Sequence, residues 1–448
     1  MTTIRILALP LLLISSAMLT ACGGSDSDTA DNTGGTGNGD TVTLSASVVQ
    51  PTVCNTTVAA STAELVVYDN NWAIKSRHKA DSNGNISARI PKTELVNLSF
   101  IGTSGSGASR RISIDTFTQH PVGDIGVYTI PGVSNQGCEC QTTTVAIISD
   151  VNTLTYGAQL SGHNVYTAAY YSGVSSNVVL FNNVEICRST GGQWPVLYAN
   201  THRDEQFEAA GYLSEYNPAD PLTLVLDQTP ISYSANFDPS STFSSVVHNF
   251  ANAHISHSRV SPSANIQLFD DLPGLAAISL RANDSYTDYY DDVRVRVGRM
   301  QRHSVAPPYS TTLNVDLPQA DGPLQLMQGV MNWLNSASTS YDLSAVSDFE
   351  TFSIGLLTTL VDGSIYTQTF YGPKRGTIPD NPLPDDYGVE ALLDEENISI
   401  FASMYRYGEQ QTYQQYLQSK TAASKMPSNE RLLGNRSQFN SIFIDINQ

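Results

Sequence analysis

The sequence predicts an all-β chain arranged as a row of two-layer sandwiches. Short apolar runs recur along the chain, punctuated by Gly, Pro, Asn and Asp, the pattern of sandwich strands and their turns. In Val293-Arg294-Val295-Arg296-Val297 apolar and basic residues alternate strictly, so one face is buried and the other is wet. Hydrophobic residues make up 40% of the chain and charged residues only 15%, which gives sizeable cores under a polar, uncharged surface. The 448 residues allow two to four domains at about 150 residues each beyond the leader.

The leader comes first. Arg5 is a positive n-region, and Ile6 to Leu19 is an apolar run broken by Pro10, Ser15 and Ser16. It is shorter than the roughly 20 residues that span a bilayer and fits a signal peptide over 1–21. Leu19-Thr20-Ala21-Cys22-Gly23 resembles the lipobox of bacterial lipoproteins. The resemblance implies cleavage before Cys22, which then carries a diacylglycerol thioether and an N-acyl chain of the palmitate type. Each buried methylene contributes about 0.8 kcal/mol, so more than one chain gives a stable membrane anchor. Gly23 stands where an aspartate would favour inner-membrane retention, so the resemblance implies an outer-membrane lipoprotein of the cell envelope. Residues 22–41 hold no large apolar side chain between Gly23 and Asp40 and read as a flexible tether. Gly35-Thr36-Gly37-Asn38-Gly39 follows no strand and opens no helix, so it is no nucleotide loop.

Charge narrows the partners. The formal net charge is -19, and losing Arg5 with the leader makes it -20. Such a field repels nucleic acid, and no basic stripe is visible in sequence. Four cysteines remain beside Cys22: Cys54, Cys138, Cys140 and Cys187. An even count in an exported chain predicts two disulfides. Three pairings are open. Cys138-Glu139-Cys140 is expected in a loop, where neighbours two apart rarely bridge each other. The favoured arrangement therefore takes one bond from this loop to Cys54 and one to Cys187, each joining domains or sheet layers.

Four β-rich units follow the tether. The first, 42–133, contains Val42–Val49, Ala63–Tyr68, Asn85–Ile90, Leu95–Ile101, Arg111–Asp115 and Asp124–Ile130. Asn83-Gly84 marks a tight hairpin turn, since Gly accepts positive φ. Asp81, Asn83 and Asn85 also echo a calcium loop, without the remaining ligands or helices of an EF-hand. Glu64 to Asp69, then Ala80-Asp81-Ser82-Asn83-Gly84-Asn85-Ile86, then Leu98-Ser99-Phe100 resemble the carboxypeptidase regulatory-like, immunoglobulin-like β-sandwich, a spacer or adhesive module with no catalytic residue. The second unit, 134–237, and the third, 238–320, repeat the style. The fourth, 321–448, places a helix over Glu409–Lys425 and strands at Thr351–Thr358, Gly363–Phe370, Asn397–Met404 and Ser441–Ile446. Its Val330-Met331-Asn332-Trp333, followed by Tyr341–Val346, resembles fibronectin type III-like strands with a core tryptophan.

Chemistry-bearing patterns are sparse. His248, His254 and His257 are the metal candidates, because the last two are three apart and would meet on a helix, but no carboxylate lies in the run. Asp284, Tyr286, Asp288, Tyr289 and Tyr290 are the ligand candidates: aromatic faces stack on sugar rings and carboxylates accept hydroxyl hydrogen bonds or hold Ca2+. The favoured reading of this stretch is a hairpin loop with tyrosines on a sandwich edge, and Tyr166, Tyr170 and Tyr171 form a second aromatic group. The acidic loops around Asp380, Asp385, Asp386 and Asp394-Glu395-Glu396 read as solvated connections, with Ca2+ as the other candidate role. No serine-hydrolase elbow, zincin pair or phosphate loop is spelled out. The expectation is a non-enzymatic envelope lipoprotein built from tandem immunoglobulin-like sandwiches, with an envelope protein or glycan as partner. A carbohydrate-binding surface protein and an unrecognised hydrolase are the alternatives.

Overall fold

The computed structural model describes residues 40–149, 158–161, 170–175, 177–203, 206–250, 253–259, 265–309, 312–336, 338–378, 398–410, 412–427 and 430–447, with 384, 387 and 389. Cys22, the leader and nearly all of the tether lie outside the described residues. The chain is all-β, folded into several sheets that pack as sandwiches.

The first sandwich is built from β1 (Thr41–Pro51), β2 (Thr57–Ala59), β3 (Glu64–Tyr68), β4 (Ile74–Lys79), β5 (Asn85–Pro91), β6 (Leu95–Ser104), β7 (Arg111–Pro121) and β8 (Asp124–Thr129). In one layer β1 pairs antiparallel with β5 and parallel with β8, while the other runs β4-β3-β6-β7. β5 alternates as period-two logic requires, with Ile86, Ala88 and Ile90 turned inward. β3 instead is buried along its whole length. Leu65 and Val67 enter the sandwich core, and Val66 and Tyr68 meet Ile112, Ile114 and Tyr366 on the opposite face.

The Asn83-Gly84 turn is a corner rather than a hairpin. β4 pairs with β3 and β5 with β1, so the chain changes layers there. The Asp81 Oδ1 accepts the backbone N–H groups of Asn83 and Asn85, each at 2.8 Å. Those bonds, that from Asn85 foremost, hold its carboxyl below the usual range and occupy the oxygen a calcium loop would offer. Gly84 has φ 75°, and a Cβ there would run into the Val48 carbonyl.

The second sandwich contains β9 (Cys138–Ser149), β10 (Ala158–Ser161), β11 (Tyr170–Ser175), β12 (Val178–Ser189), β13 (Leu197–Arg203), β14 (Gln206–Leu213) and β15 (Leu222–Leu226). Its layers are β11-β12-β9-β15 and β10-β13-β14, closed over Val145, Ile147, Val179, Ile186 and Leu224. The third contains β16 (Ile231–Phe237), β17 (Phe243–Phe250), β18 (His254–Arg259), β19 (Asn265–Leu268), β20 (Leu275–Tyr290), β21 (Val293–Val305) and β22 (Leu313–Val315). The remaining elements are α1 (Gly322–Leu334), β23 (Ser340–Asp342), β24 (Thr351–Thr359), β25 (Ile365–Pro373), β26 (Arg375–Thr377), β27 (Ile398–Tyr407), α2 (Tyr413–Ser424) and β28 (Gln438–Asn447).

A 12-stranded sheet runs β18-β17-β20-β21-β28-β27-β24-β25-β7-β6-β3-β4. It enters the C-terminal unit through the antiparallel β21–β28 ladder and leaves through the parallel β25–β7 ladder. Three of the predicted units thus share one backbone ladder. α1 covers one face of the sheet, burying Leu326, Met327, Val330 and Met331 against Val295, Val297, Ile442 and Ile444. α2 covers part of the other face with Tyr413, Tyr416 and Leu417. The helix predicted near 409–425 is α2, opened by a capping box between Thr412 and Gln415. The fibronectin type III-like strand expected at Val330–Trp333 is instead the end of α1. Leu326, Met327, Val330 and Met331 repeat at helical spacing, and Pro323 sits in the first turn.

Both disulfides form: Cys54–Cys138 and Cys140–Cys187. The first ties the opening sandwich to β9. The second departs from expectation, because Cys138-Glu139-Cys140 begins strand β9 and Cys140 lies directly opposite Cys187 on β12 within one sheet. Glu185 approaches the Cys140 and Cys187 sulfurs, but these are bonded to each other and offer no thiolate to a metal. The Cys54–Cys138 bond spans 84 residues of chain. Replacing both cysteines by serine is expected to lower unfolding free energy by about 3 kcal/mol. Urea unfolding under non-reducing conditions measures this, and an unchanged midpoint would deny the bond a stabilising role.

Candidate functional site

The β20–β21 hairpin carries the predicted ligand residues and splits them. Its two-residue turn is Asp291-Asp292, and Tyr290 pairs with Val293, so Asn283–Tyr290 is regular strand, not loop. Alternation puts Asp284, Tyr286, Asp288 and Tyr290 on the α1 face and Tyr289 on the other. Asp284 is committed to the interior. Its Oδ2 accepts from the Nε of Arg299 at 3.1 Å, and Arg299 is 7% exposed. The same guanidinium donates to the Pro318 carbonyl at 2.7 Å and to the Ser240 Oγ at 2.6 Å. Tyr290 donates to the Asn332 Oδ1 on α1 at 2.6 Å. Burial, with Asp288 and Asp284 adding to it, raises the Tyr286 phenol pKa. Tyr286 and Tyr289 are exposed, at 42% and 62%, and point to opposite sides of the sheet. The five residues therefore do not form one convergent site.

The histidines diverge as well, because 248–257 is a strand pair and not a helix. His248 lies opposite Ile255, His257 opposite Val246, and His254 opposite Asn249 on the other face. His248 is fully buried, with its Nε2 accepting the Phe269 N–H at 3.1 Å and its ring edge-on to Phe207. Burial pushes its pKa down to about 3. His254 is exposed, and the His257 side chain lies outside the described residues. The acidic positions 380, 385, 386 and 394–396, Tyr166, and the side chains of Tyr170 and Tyr171 also lie outside them.

The structure assembles a different surface. On the sheet face opposite α1, β20 and β21 place Arg281, Arg294, Arg296 and Arg302 in register, and β28 contributes Asp445. Among the described residues of β20, β21, β28, β27, β24 and β25, Asp445 is the acid on this face. Burial raises its pKa, with Arg296, 4.0 Å away, pulling the other way. Aromatic rings lie between the cations. Arg296 sits 5.8 Å from the Phe443 ring centroid, and Arg302 5.4 Å from that of Phe439. Phe443 lies over Gly298 and Phe401 over Gly355, where any Cβ would overlap the ring. The face is open at Tyr289, Arg294, Arg296 and Leu357.

α2 sets Lys420 against the same face, with Nζ 4.3 Å from the centroids of both Phe117 and Tyr371. Burial pushes the Lys420 amine down to about 8, opposed by Asp115, whose own carboxyl burial raises. A small cleft beside it is lined by Phe100, Phe117, His120, Tyr128 and Lys420. The alternation at 293–297 gave a sequence signal for the arginine face. The pairing that adds Arg281 and Arg302, and the packing that adds Lys420, are tertiary and left none.

No known protein family and no curated protein matches the chain. Among solved structures it is similar to a streptococcal ancillary pilin, at 10% identity and TM-score 0.12 over 62% of this chain and 99% of that one.

Proposed function

We propose that this chain is a lipid-anchored protein of the bacterial cell envelope whose role is recognition rather than catalysis. Cys22 holds it to the outer membrane, the Gly/Ser/Asp/Thr-rich tether spaces it from the lipid, and the sandwiches present a broad surface. The observation that carries the reading is the 12-stranded sheet. It fuses the first, third and C-terminal units into one slab and sets arginines and aromatic rings on its open face. The separation of His248 from His254 and the use of Asp284 by Arg299 support a binding role over hydrolysis. The exposed rings of Tyr286 and Tyr289 favour glycan as the second partner class after protein.

Fractionation with metabolic palmitate labelling tests the anchor. Wild type is expected in the membrane fraction with label, and Cys22→Ser in the soluble fraction without it. Equal partitioning of the two would refute the lipid anchor. Glycan-array binding tests the second partner class, with loss in Tyr289→Ala expected if that ring stacks on sugar.

A further inference from the structure

One row of the open face departs from what stability alone would select. It runs across five strands as Ser245, Arg281, Arg302, Phe439 and Tyr407, with Phe439 between Arg302 and Tyr407. Arg281 and Arg302 are a directly opposed antiparallel pair, and like charges so placed destabilise a sheet. Arg436, from the turn before β28, adds a third guanidinium 4.2 Å from the Tyr407 ring centroid. None of the three forms an ion pair among the described residues. The Nε atoms of Arg281 and Arg302 are buried and make no hydrogen bond. Buried donors without acceptors cost free energy, and here they sit beside uncompensated charge in a chain of formal charge -19. Burial lowers the Arg302 pKa, Tyr407 opposes it, and Arg281 and Arg436 push the same way as burial.

We propose that Arg281, Arg302 and Arg436 form an oxyanion site for a phosphoryl group. Three planar guanidiniums supply the forked donors that phosphate oxygens accept. The Phe439 and Tyr407 rings, 4.9 Å apart, form an apolar wall against which a sugar bearing that phosphoryl group would pack. The site gives the recognition role a ligand class, but it does not depend on the lipid anchor: loss of palmitate would leave phosphate binding intact, and the reverse.

Calorimetric titration of the full chain in detergent, with glucose 6-phosphate, inorganic phosphate and glucose, tests the site. Both phosphates are expected to bind with strong salt dependence, and glucose not to bind. Tighter binding of the sugar phosphate would assign the source to a saccharide, and equal binding to the free anion. Arg302→Gln and Arg436→Gln are expected to weaken phosphate binding at least about tenfold, the loss of one charge-assisted pair. Arg89→Gln, exposed on β5 and away from this face, should leave it unchanged. Urea unfolding separates a binding role from a structural one. Arg281→Gln is expected to hold or raise the midpoint while weakening phosphate binding, because it relieves the opposed pair. Absence of phosphate binding, binding indifferent to the Arg302 and Arg436 variants, or a lower midpoint for Arg281→Gln would overturn the proposal.

Discussion

Between pH 6.5 and about pH 5, the protein should lose stability by about 2 kcal/mol through His248 alone. The ring is wholly buried in the third sandwich, and its Nε2 is an acceptor for the Phe269 N–H. A proton added there would set two N–H groups against each other and strand a charge among Phe207, Phe269 and Ile255. Its folded pKa, about 3, lies below the unfolded value of 6.5. The unfolded chain therefore takes up the proton first as pH falls, and stability drops with it. His120, also lowered by burial, acts in the same direction. His248→Gln keeps an acceptor for Phe269 and removes the titration. Urea midpoints measured at both pH values should fall for wild type and fall less for the variant. Equal slopes would mean that the buried ring is not the proton-linked group.

Asp284→Ala should destabilise the chain by about 3 kcal/mol, whereas Tyr289→Ala should change stability by less than about 0.5 kcal/mol. Removing the carboxylate leaves the Arg299 guanidinium, 7% exposed, with only the Pro318 carbonyl and Ser240 hydroxyl as acceptors. Cutting one partner from a buried pair costs far more than the pair itself contributes. Tyr289 is 62% exposed on the other face and can be truncated without opening a core. Calorimetric unfolding of the two variants measures the contrast. Comparable losses would show that Asp284 is solvated in solution. With the expected contrast, near neighbours in sequence differ in kind: Asp284 holds the hairpin and Tyr289 meets solvent.

The strand pattern was legible wherever one face is buried and the other wet. β5, β15 and β21 announce themselves by alternation, and β15 spans the predicted Leu222–Leu226. Sequence failed where a second covering layer hides the alternation. α1 reads as a strand because Val330-Met331-Asn332-Trp333 is a short, mostly apolar group ending in a tryptophan, and the helical repeat that begins at Leu326 lies upstream of it. The β20 hairpin reads as a loop because acidic and tyrosine side chains fill a strand paired along its full length. The cysteine pairing was partly legible because adjacent cysteines seldom bridge one another, but only register shows that Cys140 and Cys187 are opposite one another. The arginine row depends on ladders that join residues far apart in sequence, and no local spacing encodes that.

The parallel β25–β7 ladder matters for the order in which the chain folds. Ile365 pairs with Arg111, so β7 waits about 250 residues for the neighbour that completes it. Until that segment emerges, the first sandwich exposes a row of unpaired amides along one side, open to any passing strand. Prompt release of the C-terminal stretch, or a holdase that shields the vacant side, would protect the nascent protein from joining its own copies.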